Sequence, residues 1–223
     1  MERKIAIILI ALFAVTQLLF AEVKGEIYRA YISENMDRWK FVIDSTERSS
    51  NLSKQDRLEL LNYQYGYIAW CIDKNKKQVA VAYVKKAEQQ VQKLETGRYQ
   101  ISTLHAYKAA LIGFKIGLAP YKAPFIGKES IDNAKKSVQL DANNAFGYLQ
   151  LGNISFYMPS AFGGSKKRSH ENVFKGFGFD GKKTDFVERK LELSQLAAYH
   201  CPGLSRTRPK SPGQKLLFEN IEN

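Results

Sequence analysis

The sequence is poor in the residues that covalent and metal-centred chemistry needs. Its 223 residues include two cysteines and three histidines. Cys71 and Cys201 are too far apart in the chain to form the disulfide framework that staples small secreted domains. His105, His170 and His200 are scattered singly, so no local cluster of His, Cys and carboxylate offers a zinc site. No nucleophile–base pair and no pair of carboxylates stands at a diagnostic spacing. An enzyme is therefore not expected, nor is a metal or any other cofactor. Sustained alternation of apolar and polar residues with β-branched side chains is also missing, so strands are not expected.

What is present suits a folded domain. Hydrophobic residues make up 44% of the chain, too many for intrinsic disorder. The length allows one ordinary domain with a real core. The net charge of +12 favours acidic partners, nucleic acid or anionic membrane, and says nothing about fold.

Met1 to Lys4 carries two basic residues, Arg3 and Lys4, and Ile5 to Phe20 is an apolar run broken only by Thr16 and Gln17. Ala21 follows. This is the pattern of a secretory signal peptide over residues 1–21, cleaved after Ala21. The run falls short of the roughly 20 residues that span a bilayer comfortably. An uncleaved anchor is the other reading, and it is the only membrane association expected. In either case the body of the chain is exported, to the periplasm or beyond. Export argues against nucleic acid as the target of the positive charge.

From Glu26 to about residue 158 the sequence reads as helix after helix. Ile27, Tyr31, Ile32, Met36, Trp39, Val42 and Ile43 form one amphipathic stripe. Ser49, Ser50 and Asn51 end it. Ser53 and Asp56 make a capping box for a second stripe through Leu58, Leu61, Tyr65, Ile68 and Ile72. Cys71 sits in that apolar pattern and reads as a buried small hydrophobe. Val79 to Leu94 form the next helix, stopped by Thr96 and Gly97. Ser102 opens another through Leu104, Tyr107, Leu111 and Ile116, closed by Pro120 and Pro124. Ile131 to Leu140 and Phe146 to Tyr157 complete the series.

Helices of similar length joined by short turns call for a search for repeats. Residues 130–144 resemble the second helix of a tetratricopeptide repeat running into the next unit, and residues 145–153 resemble that unit's first helix. Tyr148 falls where the family often has Trp, and Leu151-Gly152 is its Leu-Gly pair. Ile112-Gly113 and Tyr65-Gly66 occupy the equivalent place in two more diverged units, and Ala80 and Ala87 match the small residues of a second helix. The glycines stand further apart than the family's usual 34 residues, and Ala142 replaces its usual Pro. A generic helical bundle therefore remains open for residues 54–129. The resemblance implies an all-α domain over residues 26–167: antiparallel hairpins stacked as a short right-handed solenoid, with Gly113 and Gly152 at close helix crossings. Such a stack has a concave side lined by first helices. The family's groove positions fall on Tyr63, Tyr67 and Trp70, on Tyr107 and Phe114, and on Phe146, Asn153 and Phe156. About half of these are expected to be accessible. Lys85, Lys86, Lys135 and Lys136 are expected on a solvated convex face.

Two turns resemble each other: Pro124 to Lys128, and Ala161 to Lys167. A glycine-rich loop ending in Lys suggests phosphate, but the P-loop spacing is absent. Widened turns along one rim are the expectation.

After Lys167 the character changes. Glycines crowd a Phe-rich stretch and then prolines recur, with no helical stripe, although the hairpin begun at Ala145 still lacks its second helix. A coding frameshift near Lys167 would explain this, because a one-base shift permits helical patterns in the same stretch. A genuine disordered or variable tail over residues 168–223 is the alternative.

The function expected is binding of a protein or peptide partner in an aromatic-lined groove. The alternatives are a solute-capturing component of a transporter and a membrane-anchored scaffold. Oligomeric state is not legible.

Overall fold

The structure, a computed structural model, describes residues 23–176. The signal-peptide expectation for residues 1–21 and the tail from residue 177 onward lie outside the described residues.

Within the described residues the chain is all-helical, with no strand. Helix α1 comprises residues 23–32. The others are α2 (Met36–Arg48), α3 (Lys54–Asp73), α4 (Lys77–Thr96), α5 (Ile101–Leu118), α6 (Ala123–Leu140), α7 (Ala145–Tyr157) and α8 (Lys166–Gly176), with single 3-10 turns at Pro120–Lys122 and Ser160–Phe162. The stripe from Ile27 to Ile43, expected as one helix, is split into two. Glu34 adopts a left-handed φ of 54°, and the Asn35 side chain accepts from Arg38 N at 2.9 Å as an N-cap. The chain therefore folds back, and the Tyr31 ring meets the Trp39 ring edge-on at 5.9 Å. The Ser53 capping box forms: Asp56 N donates to Ser53 Oγ at 3.1 Å and Ser53 N to Asp56 Oδ2 at 3.2 Å. Asn144 caps α7 by accepting from Gly147 N at 2.9 Å. Pro124 opens α6 rather than closing α5, at a position whose N–H has no helical partner in any case.

Helices pack as neighbouring pairs. Helices α3 and α4, α5 and α6, and α7 and α8 lie against each other. Each second helix also meets the first helix of the next pair, α4 on α5 and α6 on α7. The first helices touch in turn, α3 with α5 and α5 with α7. The antiparallel register of α5 and α6 is fixed by polar contacts: Ser102 Oγ donates to Ser137 O at 3.0 Å, His105 Nδ1 pairs with Asn133 Oδ1 at 2.8 Å, and Ser130 Oγ donates to Ala109 O at 2.9 Å.

The two kinds of helix bury themselves differently. Helix α3 is buried from Leu60 through Ile68 at every residue but the half-buried Asn62, because α2 lies on one flank and α4 and α5 on the others. Helix α4 buries one stripe, Ala80, Tyr83, Val84, Ala87, Gln90, Val91 and Leu94. A spacing recurs along the second helices: a small residue, the fourth after it, and a small residue three further on. It reads Ala80, Val84, Ala87 on α4, Ser130, Ala134, Ser137 on α6, and Ser169, Val173, Gly176 on α8. Small side chains there let two backbones approach closely.

Helix α2 is also fastened by charge. Asp44 accepts from Lys40 at 2.7 Å, from Tyr83 Oη at 2.7 Å and from Lys86 at 2.9 Å. Lys86 also pairs with Glu47 at 2.7 Å. Partial burial pushes the Asp44 carboxyl up, but these donors outweigh it and hold it at about 2. Lys86, expected on a solvated face, instead bridges two helices; Lys85, Lys135 and Lys136 are exposed.

The expected end of the domain at Lys167 falls inside α8. This helix supplies the second member of the last hairpin in the frame as written, and it runs to Gly176 across a stretch read as non-helical. Among its residues only Val173 and Phe174 are apolar, so no apolar stripe announces it.

Candidate functional site

The face shared by the first helices carries an aromatic cluster. Tyr65 of α3 stacks on Phe114 of α5, with ring centroids 5.1 Å apart, and meets Tyr107 and Phe146 edge-on at 6.0 and 5.5 Å. Tyr107 and Phe146 lie 4.6 Å apart. Tyr107 Oη donates to Asn62 Oδ1 at 3.0 Å, and burial pushes its phenol well above the ordinary range. The cluster thus ties α3, α5 and α7 together. Tyr65 and Tyr107 are buried within it, whereas Phe114 and Phe146 are half-buried and present an edge. Asn153, two turns beyond Phe146 on α7, is also half-buried.

Of the residues expected in a groove, three are core. Tyr63, Tyr67 and Tyr107 are buried. The reason on α3 is the chain itself: α2 covers that flank, and Trp39 Nε1 donates to Tyr63 O at 3.2 Å. Tyr67 is wedged between Trp70 and Tyr83, at centroid distances of 5.6 and 4.7 Å. Burial first, and then the neighbouring Cys71, push its hydroxyl well above the ordinary range. Trp70 is half-buried at the end of α3, with Lys76 Nζ 4.5 Å from its ring centre. Phe156 is exposed but lies at the far end of α7, packed on Tyr157 at 5.0 Å. The structure therefore brings Phe114 and Phe146 together through Tyr65, and separates Trp70 and Phe156 from them. Tyr65 was legible only as a core residue.

The glycines test the expected register. At Gly152 an added Cβ would meet Val173 Cγ2 at 2.7 Å and Ser169 O at 3.2 Å, so this glycine does sit at a close crossing with α8. Gly147 stands equally close to α6, where a Cβ would meet Val138 Cγ1 at 2.9 Å. Gly113 does not: an added Cβ there, or at Gly117, would meet nothing within 4 Å. The contact between α5 and α6 falls one turn earlier, where Ser130 reaches the Ala109 carbonyl. Gly113 and Gly117 instead leave a stretch of α5 bare and exposed beside Phe114.

The glycine-rich turn between α7 and α8 is shaped for chain reversal. Gly163 has φ of +96°, and a Cβ on Gly164 would collide with Met158 O at 1.7 Å. Ser165 N donates to Ser155 O at 2.7 Å, closing the turn. These glycines answer a steric demand of the backbone.

Cys71 is a free, buried thiol, and burial pushes it above the usual thiol range. No group of three or more His, Cys, Asp or Glu placed to hold a metal occurs among the described residues. Nor, among them, is any helix long and apolar enough to cross a membrane. No family model, curated protein or solved structure matches the chain.

Proposed function

We propose that the chain is an exported, tetratricopeptide-like helical-repeat module that binds an extended or helical polypeptide along the face shared by α5 and α7. The recurring small-residue spacing on α4, α6 and α8 supports the repeat reading. So does the packing order, in which first helices touch each other as well as their own partners. The apolar run of residues 5–20 followed by Ala21 supports export.

One observation carries the binding reading. Phe114 and Phe146 present half-buried rings beside bare helix at Gly113 and Gly117, with Asn153 further along. Rigid aromatic edges give contact area at low entropic cost, an amide adds hydrogen bonds, and glycine lets a partner's backbone come close. Helix α2 occupies the corresponding flank of α3, so the free face is confined to the second and third hairpins.

The test is photo-crosslinking in the producing cell from position 153. A discrete polypeptide is expected to be captured there and not from Lys93 on α4. Gly117→Arg should abolish the capture without lowering the melting temperature. Undiminished capture in that variant would exclude this face as the binding site.

A further inference from the structure

The two ends of the helical bundle differ in chemistry. Antiparallel hairpins with parallel first helices bring the turns within all three pairs to one end: residues 74–76, 119–122 and 158–165. With four helical residues counted on either side of each turn, the segments 70–80, 115–126 and 154–169 contain eight Lys or Arg and one acid, Asp73. The cations are Lys74, Lys76, Lys77, Lys115, Lys122, Lys166, Lys167 and Arg168, of which Lys74 pairs with Asp73 and Lys115 with Glu88. The turn between α1 and α2, at the same end, adds Arg29 and Arg38 against Glu34 and Asp37, and the exposed Ile32. At the opposite end the segments 45–57, 93–104 and 137–148, counted the same way, hold five cations and four acids.

Exposed aromatics follow the same division. Tyr121 is 74% exposed, Phe125 82%, Tyr157 75% and Phe162 78%, all in or beside the cationic turns. The opposite end has Leu140 and Phe174, each less than half exposed. Large rings this exposed cost hydration unless something covers them.

We propose that this rim docks on a bilayer surface rich in anionic lipid. The cations supply long-range attraction, each worth roughly a factor of five in affinity near such a surface. The rings then enter the headgroup and upper acyl region, where Phe and Tyr are favoured. A bilayer also suits the geometry. These side chains stand on the turns and on the helix ends beside them rather than lining a groove, and a fluid surface accepts several projecting rings without a complementary pocket. The α5–α7 face runs along the helices and reaches the rim only at Gly117, next to the last residue of α5.

The test uses the full chain with an added tryptophan at Phe125→Trp, Phe162→Trp or, at the opposite end, Ala142→Trp, each read as the difference from the wild-type chain, in which Trp39 and Trp70 already emit. Vesicles of equimolar phosphatidylcholine and phosphatidylglycerol should blue-shift the emission at 125 and 162, and brominated acyl chains should quench it. Position 142 should show neither effect, and vesicles of phosphatidylcholine alone should bind far more weakly. The triple variant Lys122→Gln, Lys166→Gln, Lys167→Gln, whose melting temperature should be unchanged, should lose about a hundredfold in vesicle affinity. Three results would overturn the proposal. One is rim tryptophans that stay unshifted on anionic vesicles. Another is equal quenching at 142, which would mean attachment through another segment such as residues 5–20. The third is a rim shift that needs no lipid and grows with protein concentration, which would mean that a second copy covers the rim.

Discussion

The first full hairpin and the last are closed in opposite ways. Between α3 and α4 the space is filled by volume: Leu60, Leu61, Tyr67 and Ile68 on one side, Tyr83, Val84, Val91 and Leu94 on the other, with α2 laid over the flank and fastened by Asp44 and Lys86. Between α7 and α8 the space is removed: Gly152 meets Val173 and the Ser169 backbone, and Gly176 meets Tyr148 and Ala145. A hairpin closed by volume draws its stability from apolar area. One closed by proximity depends on what its residues lack. The first should suffer from deletions and the second from additions.

Truncation in the filled hairpin should have the largest effect. Leu60→Ala empties a fully buried position, and chemical denaturation should show a loss of about 3–5 kcal/mol. Next comes Gly152→Val, which should cost about 1–3 kcal/mol by forcing α8 off α7. A greater loss for Gly152→Val than for Leu60→Ala would invert the comparison.

Asp44→Asn should cost about 1–2 kcal/mol at neutral pH, discounted for partial exposure. Because the folded carboxyl lies below its unfolded value, that contribution is complete above the unfolded pKa and is lost as pH falls toward about 2. The gap between wild type and variant should therefore narrow from pH 4 downward, and a gap constant over that range would place the stabilisation elsewhere. Gly113→Ala gives the smallest effect and the opposite sign. With open space at the added methyl, helix propensity should raise stability by about 0.5–1 kcal/mol in thermal melts. A destabilised Gly113→Ala would restore the crossing at Gly113 that the structure lacks.

Helices with one apolar stripe could be read from the sequence, and so could the Ser53 cap, because stripe and cap are local. The orientation of α3, α5 and α7 could not. In these helices the apolar residues do not keep to one face, so periodicity does not say which face meets which neighbour. That is why Tyr63, Tyr67 and Tyr107 pass for groove residues while α2, α4 and the neighbouring first helices bury them. Helix α8 escaped for the reverse reason, having almost no apolar residues. A signal was there: Ser169, Val173 and Gly176 repeat the spacing of Ala80, Val84 and Ala87, and it lies in small side chains that hydropathy does not register. The bare Gly113 and Gly117 needed the structure, since a glycine in a helix marks either a tight crossing or an open face.

Native-state hydrogen exchange read helix by helix tests this contrast most directly. The account predicts that α3 amides exchange only through global unfolding, while α8 amides exchange through a smaller opening of much lower free energy that leaves α3 protected. Exchange of α8 and α3 through the same opening, at the same free energy, would contradict it.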